Sequence, residues 1–392
     1  MSARLPIAFV VQRFGQGGAE LHCQWVAEHL AHRYDVTILT TCANDHTTWA
    51  NHFRPGETVH NGVKVRRFRT TRTRPPDFVE YSNRVFDGPR TRADELAWLE
   101  AQGPHSPDLL AAIERERDRF AVIFFFTYLY EPTVLGLPLA GGRAALVPTA
   151  HDEAPIRLSI YRDVFHAPHW IVWNSPWERR FIQEMFHNEH IPGAVAGCGI
   201  DPPPPGDALA FRRRYGVEGD VLAYVGRVEG AKGVGELVEW SQRYQRRRPF
   251  TLALVGTNVM ELPRSPGILP LGYLSDQEKA DVLAAATAFV MPSAHESLSM
   301  VTLEAWLADR PVLANGRAEV IREHIELSQG GLYYDGPLEF VGCLEWLLDH
   351  PVERARMAAN GRRYVETNYS WPRIEAIYDR AIAEVAGGAA PV

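Results

Sequence analysis

The chain opens on a pattern that few architectures accept. Ile7–Val11 is a short continuous apolar run, as expected of a strand covered on both faces. Phe14–Gly18 (FGQGG) reads as a turn, and from Ala19 the residues Leu21, Trp25, Val26 and Leu30 recur at helical spacing. Tyr34–Thr40 (YDVTILT) then reads as a second strand. Strand, helix and strand within about 35 residues form a βαβ unit, and such units build parallel sheets.

The alternation continues. Ala121–Phe126, Ala144–Pro148 and Trp170–Asn174 read as strands. A helix follows from Ser175-Pro176 through Met185, with Ser as N-cap and Pro at the first position. Pro202–Pro205 cannot lie inside a sheet and marks a stiff boundary within residues 191–206. The alternation then restarts with strands at Val221–Val225, Phe250–Val255, Ile268–Leu271, Ala288–Met291 and Pro311–Ala314. Helices are expected at Gly233–Arg246, Ser275–Ala286 (Ser275 and Glu278 forming a capping box) and Met300–Ala308, and residues 337–385 read as mostly helical. The expected fold is α/β, with two Rossmann-like, doubly wound domains, 1–200 and 201–371, facing each other across a cleft. Ligands of such sheets bind beyond the carboxyl ends of the strands.

Composition narrows the class. A chain of 392 residues fits two domains at about 150 residues each. With 46% hydrophobic and 23% charged residues it has apolar surface enough for a core. Its net charge of −7 argues against nucleic acid as a partner. Cys23, Cys42, Cys198 and Cys343 are far apart and form no C-x-x-C pair, which fits buried thiols in a reducing cytoplasm. Leu5–Val11 is too short for a signal peptide, and the longest mostly apolar stretch, Phe120 to Val134, is broken at Thr127 and Glu131. A cytoplasmic protein is expected, with association at a membrane surface left open. The cluster Lys64, Arg66, Arg67, Arg69, Arg72 and Arg74 fits a solvated strand edge with a loop. It also fits a patch for an anionic acceptor or membrane headgroups.

Two familiar phosphate motifs fail. Gly15-Gln16-Gly17-Gly18-Ala19-Glu20 has Glu20 where a dinucleotide fingerprint needs its third glycine. Gly226–Lys232 (GRVEGAK) has the wrong spacing for a P-loop, and Gly233 stands where Ser or Thr belongs. What remains is a pair of glycine-rich turns before helices, where backbone N–H groups can approach phosphate. Met291–Asn315 is the richest stretch: strand, polar loop, helix, turn, strand. Ser297, Leu298 and Ser299 lie at the helix start, where free N–H groups suit a diphosphate. Glu296 precedes the helix and Glu304 lies one to two turns inside it, so the two carboxylates fit opposite sides of one phosphate. They fit equally an acid favoured by the helix dipole and an exposed helix glutamate. Arg227 and Lys232 supply the cations that a leaving diphosphate needs.

Together these residues resemble the family 4 retaining glycosyltransferases of the GT-B fold (glycosyl transferases group 1). The resemblance is carried by Gly226-Arg227 with Lys232-Gly233, Leu271-Gly272-Tyr273-Leu274-Ser275, and Glu296 with Glu304, Ala305 and Arg310-Pro311-Val312. In the first half it is carried by Gly17-Gly18-Ala19-Glu20, His151-Asp152, Asn174-Ser175 and Gly199-Ile200-Asp201. It implies a metal-independent transfer of a sugar from a UDP- or GDP-sugar to an acceptor hydroxyl, with retention. Glu296 would contact the donor sugar, Glu304 the ribose hydroxyls, and Arg227 and Lys232 the diphosphate. The backbone N–H groups of Ser299 and Met300 would assist, and Tyr273 with Leu274 would edge the base pocket. The Gly17-Gly18 turn would approach the donor from the first domain, and His151 would hydrogen-bond the transferred sugar. The leaving diphosphate would act as base in a front-face reaction. No D-x-D occurs, so neither a metal nor another cofactor is expected. The acceptor would be a glycan, a lipid-linked sugar or a small molecule, bound on the first domain at residues the sequence does not name. A helix at about 372–392 would cross back onto the first domain. One departure is Ser297 and Ser299, where the family usually carries glycines. A nucleotide-sugar 2-epimerase of the same fold and a non-catalytic sugar-binding protein are the alternatives.

Overall fold

The computed structural model describes residues 4–15 and 17–388. Gln16, within the turn expected at 14–18, lies outside the described residues. The chain divides into two units: residues up to Gly199 with those from Trp371 onward, and Ile200–Ser370.

The first unit is built on an eight-stranded sheet. Its strands are β1 (Pro6–Val10), β2 (Asp35–Thr41), β3 (Gly56–His60), β4 (Val63–Phe68), β5 (Ile123–Phe126), β6 (Ala144–Val147), β7 (Trp170–Trp173) and β8 (Gly193–Val195), in the order β3-β4-β2-β1-β5-β6-β7-β8. All neighbours are parallel except β3 and β4. Strands β5, β6 and β7 are buried along their whole length and β1 at every position but Pro6, as the continuous apolar runs require. The chain switches direction of winding between β1 and β5. Helix Gly18–Leu30 starts at Gly17, whose φ of +123° only glycine adopts easily. Ser175 caps helix Pro176–Phe186 by accepting from the Glu178 N–H at 3.0 Å. The last helix, Trp371–Gly388, belongs to this unit. Its Tyr378 ring packs on Phe9 and Phe124 of the sheet, and Trp371 stacks on His29 with ring centroids 3.5 Å apart. Gly199 lies under Trp371, so close that a Cβ there would sit 2.3 Å from the indole.

Two features differ from the expectation. β4 is an interior strand, not a sheet edge, because β3 pairs with its far side. Of its basic residues, Lys64 and Arg66 are ion-paired with Asp35 and Glu116 at 2.7 and 2.6 Å. The segment between β4 and β5 also holds three unforeseen helices, Phe78–Asp87, Arg92–Gln102 and Pro107–Glu116.

The second unit carries a six-stranded parallel sheet. Its strands are β9 (Val221–Val225), β10 (Thr251–Val255), β11 (Ile268–Gly272), β12 (Ala288–Met291), β13 (Val312–Asn315) and β14 (Gly331–Tyr334), in the order β11-β10-β9-β12-β13-β14. The winding reverses between β9 and β12. Leu222, Leu252, Val290 and Leu313 from four of these strands meet helix residues Leu237, Phe340 and Leu344 in one core. Asp276–Ala285 begins with the expected capping box of Ser275 and Glu278.

Candidate functional site

An open parallel sheet binds ligands where its winding reverses, beyond the strand carboxyl ends. In the second unit that point is the pair of loops after β9 and β12. Their backbones touch. Gly233, at φ +73°, packs so tightly on the Pro292 carbonyl that a Cβ would lie 2.4 Å from its oxygen. Asn315, at the end of β13, donates to the same carbonyl at 3.0 Å. Glycines 226 and 256 play the same part between β9 and β10, since a Cβ on Gly256 would sit 2.0 Å from the Gly226 oxygen. Tyr224 donates its hydroxyl to the Arg227 carbonyl at 2.8 Å, bracing the turn.

These contacts bring together two of the residues singled out above. Lys232 Nζ donates to Glu296 Oε1 at 2.8 Å, and both side chains are partly buried. The couple joins positions 64 residues apart. Arg227 turns elsewhere, to Glu229, with Nε 3.0 Å from Oε1. Leu298 and Ser299 are buried, and Ser297 and Met300 half-buried, at the start of helix Met300–Leu307. Glu304 is half-buried and not the free helix glutamate of the simpler reading. It accepts from Lys279 Nζ at 2.8 Å. Burial lowers the Lys279 pKa, but Glu304 and Asp276 outweigh it and the net shift is upward, so the lysine stays charged. Leu274 is half-buried, whereas Tyr273 at the end of β11 is 87% exposed and offers an open aromatic face.

Three residues near this site carried no sequence signal of their own: Lys279, Tyr224 and His324. His324, in helix Glu319–Ser328, is buried against the Leu298 backbone, with Nδ1 3.0 Å from the Tyr364 hydroxyl. Burial lowers its pKa to about 4, so it is neutral at pH 7.

Ser299 is the N-cap of helix Met300–Leu307 at φ +61°, a left-handed conformation. Its Oγ bonds Thr302 Oγ1 at 2.9 Å. This is the position where the resembling family carries glycine, and the backbone explains why. Ser299→Gly is therefore expected to raise the unfolding free energy of this unit by about 1 kcal/mol, through relief of left-handed strain. Denaturant titration checks it; an unchanged or lower midpoint would show the Thr302 bond to be worth more than the strain.

The remaining residues lie in the first unit. Gly17 and Gly18 open helix Gly18–Leu30. A Cβ on Gly17 would lie 2.2 Å from Glu20 Oε2, so the glycine makes room for a buried carboxylate. Glu20 accepts from Gln12 Nε2 at 2.9 Å and Arg13 Nε at 2.6 Å. Thr127, after β5, closes the group by donating to Gln12 Oε1 at 3.2 Å. This network occupies the winding reversal of the first sheet. His151, after β6, lies with Nε2 3.6 Å from Glu153 Oε2, and Tyr128 donates to that carboxylate at 2.7 Å. Among the described residues no group of three or more His, Cys, Asp and Glu is placed to hold a metal ion. No helix of the described residues is long and apolar enough to cross a membrane.

Residues 219–350, from β9 to helix Pro337–Asp349, match the family described as Glycosyl transferases group 1. The matched segment lies wholly within the second unit. Among curated relatives, the GDP-mannose-dependent monoacylated alpha-(1-6)-phosphatidylinositol monomannoside mannosyltransferase of Corynebacterium glutamicum is 32% identical over 203 residues, 47% of this chain and 52% of that one. The chain thus spans about half the length of the curated relatives it matches. Sucrose-phosphate synthase of Thermosynechococcus elongatus superposes with a TM-score of 0.73 at 16% identity, covering 97% of this chain and all of that one. Anabaena HepE, solved with UDP-glucose, gives a TM-score of 0.69 at 19% identity over 98% of this chain and 100% of that chain. The fold is GT-B, with two Rossmann-like units. The matched segment contains every residue of the Lys232–Glu296 and Lys279–Glu304 couples.

Proposed function

We propose that the protein is a retaining, metal-independent glycosyltransferase that uses a nucleoside-diphosphate sugar. The Lys232–Glu296 couple carries the reading. It joins the loops after β9 and β12 at the winding reversal, beside the buried start of helix Met300–Leu307. A diphosphate entering there competes with Glu296 for the Lys232 ammonium. Once displaced, the carboxylate can accept from hydroxyls of the donor sugar while Lys232 and Arg227 neutralise the leaving group. The N–H groups of Ser299 and Met300 face the same phosphate. Glu304, held by Lys279, accepts from the ribose, and Tyr273 and Leu274 flank the base.

In this reading the bond from the anomeric carbon to the diphosphate breaks as the acceptor oxygen approaches the same face. The acceptor proton passes to the departing phosphate oxygen, so no protein base is required. The matched relative is GDP-mannose-dependent and HepE was solved with UDP-glucose, which supports a nucleotide-sugar donor and leaves two bases to test.

The test is titration with UDP and GDP, followed by turnover with UDP-glucose and GDP-mannose, each with and without EDTA. Saturable binding of one nucleotide, weakened about tenfold or more in Lys279→Ala through loss of the ribose contact, is expected. EDTA is expected to leave turnover unchanged. No binding of either nucleotide, or activity abolished by EDTA and restored by Mg²⁺, would overturn the donor site or the metal independence respectively.

A further inference from the structure

Residues from five neighbouring strand ends meet at one hydroxyl in the first unit. The strands run in the order β4-β2-β1-β5-β6, all parallel, so their carboxyl ends lie on one side of the sheet. Arg13 follows β1, Trp49 follows β2, Arg74 follows β4, Tyr130 follows β5 and Glu153 follows β6. Trp49 is the pedestal. It is buried at a φ of +59°, a backbone that a bulky residue keeps only where its surroundings enforce it. Here its Nε1 donates to the Gln102 carbonyl at 2.6 Å, and the Thr70 hydroxyl donates to its own carbonyl at 2.8 Å. Two side chains rest on its ring. The Arg74 guanidinium lies 5.3 Å from the ring centroid, and the Tyr130 ring meets it edge to face at 5.4 Å.

Tyr130 is half-buried, and its hydroxyl makes no hydrogen bond among the described residues. The oxygen still reaches solvent, unlike the unpaired and buried hydroxyl of Tyr378. The charges that act on it are Glu20, Arg74, Arg13 and Glu153. Burial, then Glu20, pushes its pKa up, so the hydroxyl keeps its proton and can both donate and accept. Three of the four charged neighbours keep capacity unspent. Glu20 accepts from Gln12 and Arg13 on Oε1, and its Oε2 accepts no bond among the described residues. Glu153 accepts from Tyr128 on Oε1, with Oε2 3.6 Å from His151 Nε2. Arg74 donates through Nη2 to the Gln102 carbonyl at 3.0 Å, and its Nη1 reaches solvent with no acceptor among the described residues. Two carboxylates and two guanidinium groups balance. An oxyanion would meet the carboxylates, and a cation the guanidinium groups. A neutral ring of hydroxyls meets both with donors and acceptors of its own.

We infer that the Tyr130 hydroxyl reads a neutral polyhydroxylated ring, a sugar or a cyclic polyol, bound at the carboxyl ends of these five strands. Tyr130 bonds one ring hydroxyl, while Arg74 Nη1 donates to a neighbouring hydroxyl and Glu153 accepts from another. That the ring is the acceptor of transfer rests on the glycosyltransferase reading; the site itself does not.

The experiment titrates glucose, mannose and myo-inositol by saturation-transfer NMR, with inorganic phosphate as the charged control. It compares wild type with Tyr130→Phe and Lys232→Ala. Tyr130→Phe deletes an oxygen that bonds nothing among the described residues and keeps the ring on Trp49, so folding is unaffected. Lys232→Ala disables the proposed donor site, so it separates the two readings. Saturable binding of at least one ring to wild type and Lys232→Ala alike, weakened about tenfold or more in Tyr130→Phe, is the expected result. No binding of any ring to wild type, binding undiminished in Tyr130→Phe, or displacement of the ring by phosphate overturns the inference. So does loss in Lys232→Ala with Tyr130→Phe unaffected, which would put the ring on the donor site. Ring binding that depends on Tyr130 in a protein that binds neither UDP nor GDP keeps the site and removes only its acceptor role. Should Tyr130→Phe fail to melt cooperatively, Arg74→Met decides. It keeps the apolar stem beside Trp49 and removes the Nη1 donor, so undiminished binding there overturns the inference as well.

Discussion

Lys232→Ala is expected to lower kcat/KM for the nucleotide-sugar donor by about 10²–10³-fold, the usual loss when one preorganised charge facing a developing anion is removed. The couple it breaks is 2.8 Å long, between a lysine about one-third exposed and a glutamate 15% exposed. Two effects add. The leaving diphosphate loses a cation placed before the reaction starts, and Glu296 is left as a partly desolvated carboxylate beside an incoming dianion. The second effect predicts that Lys232→Ala,Glu296→Gln regains nucleotide affinity relative to Lys232→Ala while staying slow. Steady-state kinetics with the donor varied, alongside nucleotide titration, checks both. A loss under about threefold in Lys232→Ala would remove this lysine from the transition state. Folding is expected to be untouched, since the side chain reaches water and no backbone group depends on it.

The second large effect is on stability in acid, and it should differ between the two units. His324 in the second unit and His22 in the first are buried, and burial lowers both from the ordinary 6.5 to about 4. His22 has Nε2 3.0 Å from the Gly197 carbonyl, which only a protonated Nε2 can satisfy, so that proton is placed and the ring is neutral. Between pH 6.5 and 4 the unfolded chain takes up a proton that the folded chain refuses. The stability from each histidine is therefore complete above pH 6.5 and lost as pH falls toward 4. A shift of that size is worth about 3 kcal/mol per histidine. Glu178 opposes this in the first unit. Burial raises its carboxyl from 4.5 to about 8, against the N–H groups of Asn174 and Ala150 that bond it at 2.6 Å. A raised acid gives its stability at low pH and loses it as pH climbs from 4.5 through 8. Between pH 7.5 and 5 acid adds through Glu178 at least as much as it removes through His22, while His324 has no such counterweight among the shifted buried groups of its unit. Scanning calorimetry at pH 7.5 and pH 5 should show one transition moving down much further than the other. His324→Gln should flatten the pH dependence of that transition alone. Two transitions that fall together, in wild type and variant alike, would refute the assignment.

The sheets were legible because buried parallel strands leave an unmistakable mark. Phe124, Val172, Ala223 and Val290 sit in runs with no polar alternation, and each run is a strand. The β3–β4 hairpin was not read, since β3 (GETVH) is exposed at every position and its neighbour is rich in arginine. A local signal existed: Asn61-Gly62 joins the strands with both residues at positive φ, +46° and +82°, the pair favoured in two-residue hairpins. For the candidate site, the Glu296 and Glu304 spacing and the GRVEGAK turn were visible in the chain. Their partners were not. The Lys232–Glu296 bond spans 64 positions and the Lys279–Glu304 bond 25, and only the parallel packing of the sheet sets such pairs. Ser299 shows the converse. Its departure from glycine was plain in the sequence, but its cost became readable only with φ at +61°.

The return of helix Trp371–Gly388 to the first unit has a consequence for synthesis on the ribosome. Residues 200–370 are translated between the two parts of that unit. At about 5–20 residues per second this is a wait of roughly ten to thirty seconds. During it, Phe9 and Phe124 lack the Tyr378 ring that later covers them, and Gly199 lacks its indole. The nascent first unit then exposes an apolar sheet face to water, a natural client for a chaperone. The second unit, contiguous in sequence, can close as it leaves the exit tunnel.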